Sequence, residues 1–213
     1  MTIAPFISDK ELISFARRFL RDRLGPFRAD VAICLTPNKN GHRAEFPALI
    51  TCIGFAELLS SLYAGNLESN GLANLKNYAV RFMDTTKYDP VRLEILYFLF
   101  RHKLAHLSFP HSVFDTASRS QLRHQKHRRI TWSVYSGKRR LPIELDDHAV
   151  KHLKKALRPW PISYDCRALI SVRSLQTDIV KSIYGPSGYL ACLKAELIAR
   201  EHFAKCMRAM FPP

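Results

Sequence analysis

Six apolar residues in unbroken succession, Ile95, Leu96, Tyr97, Phe98, Leu99 and Phe100, run straight into Arg101, His102 and Lys103. Such a run has to be buried, and the next three residues bring cation-forming side chains to the edge of the interior. Periodicity alone leaves the run as a buried strand or a buried helix. Helix is the better reading, because apolar positions continue through Leu104, Ala105 and Leu107, beyond usual strand length. Asp89 then serves as the N-cap and Pro90 as the first helical residue.

Helical signals dominate the rest of the chain. Ser8 and Glu11 have capping-box spacing ahead of Leu12, Phe15 and Phe19, and Gly25-Pro26 predicts the end of that helix. A short strand is expected over 31–35, then a polar loop with Pro37, Asn38, Asn40 and Gly41. The next helix should cover 47–64, apolar on most faces and therefore central, with Gly65 just past its end. Leu72, Leu75, Ala79 and Phe82 mark a further helix. Residues 131–135 and 141–145 alternate like two strands of a hairpin joined through Ser136, Gly137 and Lys138. Three helices are expected to close the chain. The first starts at Asp146 with Val150, Leu153 and Leu157 inward and Lys151, Lys154, Lys155 and Arg158 outward. Leu169, Val172, Ile179 and Ile183 mark the second, and Leu190, Leu193 and Leu197 the third.

Thirty-three Lys and Arg against 18 Asp and Glu leave a formal charge of +15 over 213 residues. A chain so far from neutrality attracts polyanions, and phosphate backbones are the first candidate. The five cysteines, Cys34, Cys52, Cys166, Cys192 and Cys206, form no CxxC pair and read as small buried hydrophobes of a reducing compartment. Met1 to Pro5 show neither the basic start nor the apolar run of a signal peptide. No stretch reads as the ~18 apolar residues that span a bilayer. The expected location is cytoplasmic, without membrane contact.

The chemistry concentrates after the apolar run. Histidine suits proton transfer near neutrality, and the forked, permanently charged arginine suits a phosphate and its transition state. Arg101 and His106 converging on one phosphate suffice for metal-free RNA cleavage. On an ideal helix, positions five apart are separated by about 140°, so the two do not share a face. Either the substrate crosses the helix end, or a second copy of the motif contributes. The competing structural reading pairs Arg101 with a buried carboxylate, Glu57 or Glu94, and lets the histidines fill polar gaps. His102 and His106 also have the spacing of helical metal ligands, with His111 nearby, but no carboxylate lies between Glu94 and Asp115 and no cysteine is close. No metal and no cofactor are expected.

Arg101-x4-His106, with a polar residue directly after the arginine and an apolar helix before it, resembles the motif of HEPN-domain ribonucleases. The resemblance covers roughly residues 45–115. It implies a helical bundle, Arg101 and His106 as the catalytic pair, and His102 as the polar residue that orients them, where the family often carries Asn or Asp. It further implies a homodimer with facing motifs, a cut leaving a 2′,3′-cyclic phosphate and a 5′-hydroxyl, and employment as a toxin or defence nuclease with an antitoxin or regulatory partner protein. The fold expected is mainly α: one domain over 1–213, with a HEPN-like helical core at about 45–115, a basic hairpin at about 119–145, and C-terminal helices at about 146–210.

Eight Lys and Arg fall between Arg119 and Arg140, with no acid between Asp115 and Glu144. Arg123, Lys126, Arg128, Arg129, Lys138, Arg139 and Arg140 are the expected RNA contacts, since cations bind phosphates. Trp132 and Tyr135 are interleaved with them. Trp132 is read as packing on the core. A catalytically silent HEPN-like module that binds RNA, a nucleotide or a partner protein is the alternative to a ribonuclease.

Overall fold

A computed structural model describes residues 8–68, 71–98, 114–115, 129–146 and 164–212. Helix α1 (Asp9–Leu35) begins as expected: the Ser8 hydroxyl accepts from the Glu11 amide at 3.3 Å and donates to the Glu11 carboxylate at 3.0 Å. It does not end at Gly25-Pro26, and residues 31–35 are helix rather than strand. The buried stripe explains both. Leu20, Leu24, Phe27, Val31 and Leu35 continue it at spacings of three and four, while Gly25 and Pro26 both lie on the exposed side. The hydrogen bond that Pro26 cannot make therefore falls where water replaces it.

Helix α2 (Glu45–Ala64) ends at Gly65, whose φ of 68° is the left-handed conformation that glycine adopts without strain. A Cβ at Gly65 would also stand 2.8 Å from the His202 ring. By length and composition α2 is apolar enough to cross a membrane, contrary to the sequence expectation. Its apolar faces are used in packing: α1, α3 (Gly71–Phe82), α5 (Val172–Tyr184) and α7 (Leu197–Met210) all lie against it. Phe27 of α1 stacks on Phe55 of α2 with ring centroids 4.3 Å apart. Tyr63, Tyr78, Phe82 and Tyr189 form a second aromatic cluster, in which the Tyr78 and Ser182 hydroxyls share a 2.9 Å hydrogen bond. All five cysteines are free. Four are buried and Cys34 is half-buried.

Helix α4 (Pro90–Ile95) follows the Asp89 N-cap, and α6 (Tyr189–Ala195) is separated from α7 by the extended Glu196. The expected helix beginning at Asp146 lies outside the described residues beyond Asp146 itself, which ends a strand. A small mixed sheet completes the otherwise mainly helical molecule. Its strands are β1 (Phe114–Asp115), β2 (Arg129–Tyr135), β3 (Ile143–Asp146) and β4 (Cys166–Ser171), in the order β1-β2-β4-β3.

That order corrects the expected hairpin. Strands β2 and β3 do run in opposite directions, but β4 lies between them, parallel to β2 (Ile130 opposite Cys166) and antiparallel to β3 (Ile143 opposite Ile170). Residues 136–142 therefore form an arch over the end of β4 instead of a tight turn. Strand β4 also corrects the helix expected from Leu169 onward, which begins only at Val172. A central strand buried on both faces shows no alternation, and Leu169 happens to keep helical spacing with Val172.

Candidate functional site

Arg101, His102 and His106 lie outside the described residues, as do Arg123, Lys126 and Arg128. The approach to the motif is described. Asp89 accepts the Arg92 amide at 2.8 Å and pairs with the Arg92 guanidinium, whose Nε donates to the Ile143 carbonyl of β3 at 3.0 Å. Helix α4 is thereby tied to the sheet. Beyond Ile95 the backbone widens into a π-helical turn over 96–98, with Leu96 buried and the Tyr97 and Phe98 rings edge to face at 5.5 Å. Such widened turns occur frequently at functional sites.

Two carboxylates flank this approach. Glu94 is 2 % exposed and forms an ion pair with Lys76 of α3, so one of the two partners considered for a structural Arg101 already holds a cation. Its second oxygen, Oε2, is buried without a hydrogen-bond partner among the described residues. Glu57 and the Tyr97 hydroxyl meet at the first turn of α3. A Cβ on Gly71 would stand 3.1 Å from each, so glycine there permits the close approach.

The described members of the basic segment do not form one patch. Arg129 opens β2, where its amide donates to Asp165 at 2.8 Å and its carbonyl accepts from the Asp165 amide at 2.7 Å. Lys138, Arg139 and Arg140 follow the other end of the strand, about 20 Å away at ~3.3 Å per residue. Trp132 packs edge-on against Phe46 of α2 at 5.0 Å, in keeping with a core role.

The arch is held down by the first turn of α5. The Ser171 hydroxyl donates to the Gly137 carbonyl at 2.6 Å, and the Ser171 amide to the Pro142 carbonyl at 2.8 Å. The Ser174 hydroxyl accepts from the Arg139 amide and donates to the Arg139 carbonyl, both at 2.9 Å. The Arg139 guanidinium lies 4.4 Å over the Tyr135 ring and pairs with Glu144 at 3.0 Å. It is a strut of the arch, not a free contact. Lys138 and Arg140 on either side are exposed and have no carboxylate partner among the described residues.

Between the arch, α5 and the loop before α4 lies a cleft of about 230 Å³. It is lined by Lys87, Lys138, Arg139, Arg140 and Lys181, with Asp178 as the one carboxylate. Asp178 accepts the Tyr88 hydroxyl at 3.1 Å and stands 3.8 Å from Lys87, which is also 3.7 Å from Asp84. Burial raises the Tyr88 phenol well above its usual value, with the Asp178 charge adding to the effect. Sequence reasoning missed Lys87, Asp178 and Lys181. Each is isolated in its own segment, and only the tertiary fold brings them to the arch.

The cleft can attract and hold anions. No histidine lines it, so it carries no proton-transfer group suited to neutral pH. Among the described residues no group of three or more His, Cys, Asp and Glu could hold a metal ion. Neither a protein-family model, nor a curated protein, nor a solved structure matches the chain at a significant level.

Proposed function

We propose that this chain is a metal-independent RNA endonuclease of the HEPN type, acting in the cytoplasm as a homodimer, with Arg101 and His106 as its cleaving pair. The observation that carries the reading is the Arg-x4-His spacing directly after a core helix whose last described turn is the widened one at 96–98. His106 accepts the proton of a ribose 2′-hydroxyl. The 2′-oxygen attacks the adjacent phosphorus while Arg101 stabilises the added negative charge. The P–O5′ bond then breaks, giving a 2′,3′-cyclic phosphate and a 5′-hydroxyl that takes up the proton. His102 orients the pair. Employment as a toxin or defence nuclease restrained by a partner protein belongs to the same proposal.

A second reading has its own support. The cationic cleft has no imidazole, which suits a module that binds RNA without cutting it. One comparison separates the two. A ribonuclease of this mechanism cuts single-stranded RNA in EDTA, leaves cyclic phosphate ends, and binds 2′-O-methyl RNA without cutting it. Binding with no cleavage of either strand favours the silent module. Strict dependence on added zinc or manganese overturns the metal-free mechanism.

A further inference from the structure

We propose that the cleft between the arch and α5 is a phosphate-binding site in which Lys87 and Lys181 act together with Lys138 and Arg140, and whose strength is moderated by Asp178. Elsewhere on the described surface, cations sit beside acids, as in Arg21–Asp22, Arg81–Glu196 and Arg200–Asp9. Here three separate segments bring five cations around one carboxylate, and Lys138, Arg140 and Lys181 have no acidic partner among the described residues. Mutual repulsion in such a group is relieved by a bound anion.

The site is also built before any ligand arrives. Ser171 and Ser174 pin the arch at Gly137, Arg139 and Pro142, and the Arg139 side chain locks it against Tyr135 and Glu144. Little ordering remains for binding to impose. The volume of about 230 Å³ lies below the roughly 300 Å³ at which pockets for whole small molecules begin. It suits a phosphate with part of a sugar, not a stacked base. Asp178 holds Lys87 nearby but opposes an incoming anion, so its removal strengthens binding.

The phosphate belongs to an RNA strand if the proposed function holds, and the inference rests on that reading only for this source. Full-length chains carrying His106→Ala, so that RNA stays intact, would be titrated with a fluorescein-labelled 20-nucleotide single-stranded RNA over a range of salt. Lys87→Gln with Lys181→Gln should weaken binding about tenfold at low salt and flatten the log–log salt slope by about 1.4, at ~0.7 per phosphate lost. Asp178→Asn, which keeps an acceptor for Tyr88, should tighten binding. Arg17→Gln with Arg28→Gln, an equal charge loss on the exposed side of α1, should change little. Should the first pair fail to fold, Lys138→Gln with Arg140→Gln on the arch replaces it. If the RNA does not bind but inorganic phosphate raises the melting temperature of the parent and not of the Lys87/Lys181 variant, the cleft stands, the phosphate is a free one, and the RNA reading falls. If the α1 control weakens RNA binding as much as the cleft variant, or neither probe responds to Lys87 and Lys181, the phosphate site is overturned.

Discussion

Arg139 and Arg140 are neighbours of identical chemistry with different work to do. Arg139 stacks on Tyr135, pairs with Glu144 and shares two backbone bonds with Ser174, whereas Arg140 points its charge to solvent at the cleft. The Arg139 ion pair is about one-third exposed and therefore weak, and the ring contact contributes a comparable amount. Arg139→Ala should lower unfolding stability in urea by about 1 kcal/mol, while Arg140→Ala stays within about 0.5 kcal/mol and loses RNA affinity instead. Equal stability losses would contradict the division. The sequence shows that Lys138, Arg139 and Arg140 are a basic cluster. It cannot show that the middle one is a strut, because Tyr135, Glu144 and Ser174 become its partners only when β4 enters between β2 and β3. Lys87 and Lys181 are illegible for the same reason. Glu94, by contrast, is legible as a buried acid from its place beside the apolar run, although its cation is Lys76.

At the scale of elements, apolar spacing is the reliable signal and punctuation the unreliable one. The 45–64 helix, its Gly65 stop, the Asp89-Pro90 start and the helix through Leu72 and Ala79 are all legible because one buried face or a cap defines each. Gly25-Pro26 misleads, since a proline breaks a helix only when the lost hydrogen bond is buried or the ring clashes, and here the stripe from Leu12 to Leu35 carries the helix through. Pro26→Ala should restore that bond and raise stability by about 1–2 kcal/mol after the entropy gained by the unfolded chain is deducted. Lower stability with less helix by circular dichroism would mean that α1 is broken at this point. Strand β4 is hidden because its buried run, Ala168, Leu169 and Ile170, carries no alternation to distinguish it from helix.

The whole molecule combines a core of buried neutral phenols and thiols with a strongly cationic exterior, and each has a measurable consequence. Burial pushes the Cys52 thiol up from 9.0 to about 12 and the Cys192 thiol to about 11, and raises the Tyr78, Tyr88 and Tyr189 phenols above 10.0. These groups stay neutral when folded and ionise more readily when unfolded, so their contribution is complete below pH 9 and is lost as pH rises from 9.0 through about 12. Urea midpoints should fall steadily over that range; a flat profile would contradict the burial. Assembly is the second whole-molecule property. Arg101 and His106 are poorly placed on one ideal helix face, so a shared cleft predicts a species of twice the 24.5 kDa chain mass in sedimentation. Mixing Arg101→Ala with His106→Ala chains should then restore some activity, and a monomer that cleaves RNA would end the shared-cleft idea alone. The central claim is that Arg101 and His106 cut RNA without a metal. Its most direct test measures the cleavage rate of single-stranded RNA in EDTA by the wild-type chain and by His106→Ala and Arg101→Ala. Both variants should lose cleavage while keeping the wild-type melting temperature and helix content, and cleavage at the wild-type rate by both would contradict the account.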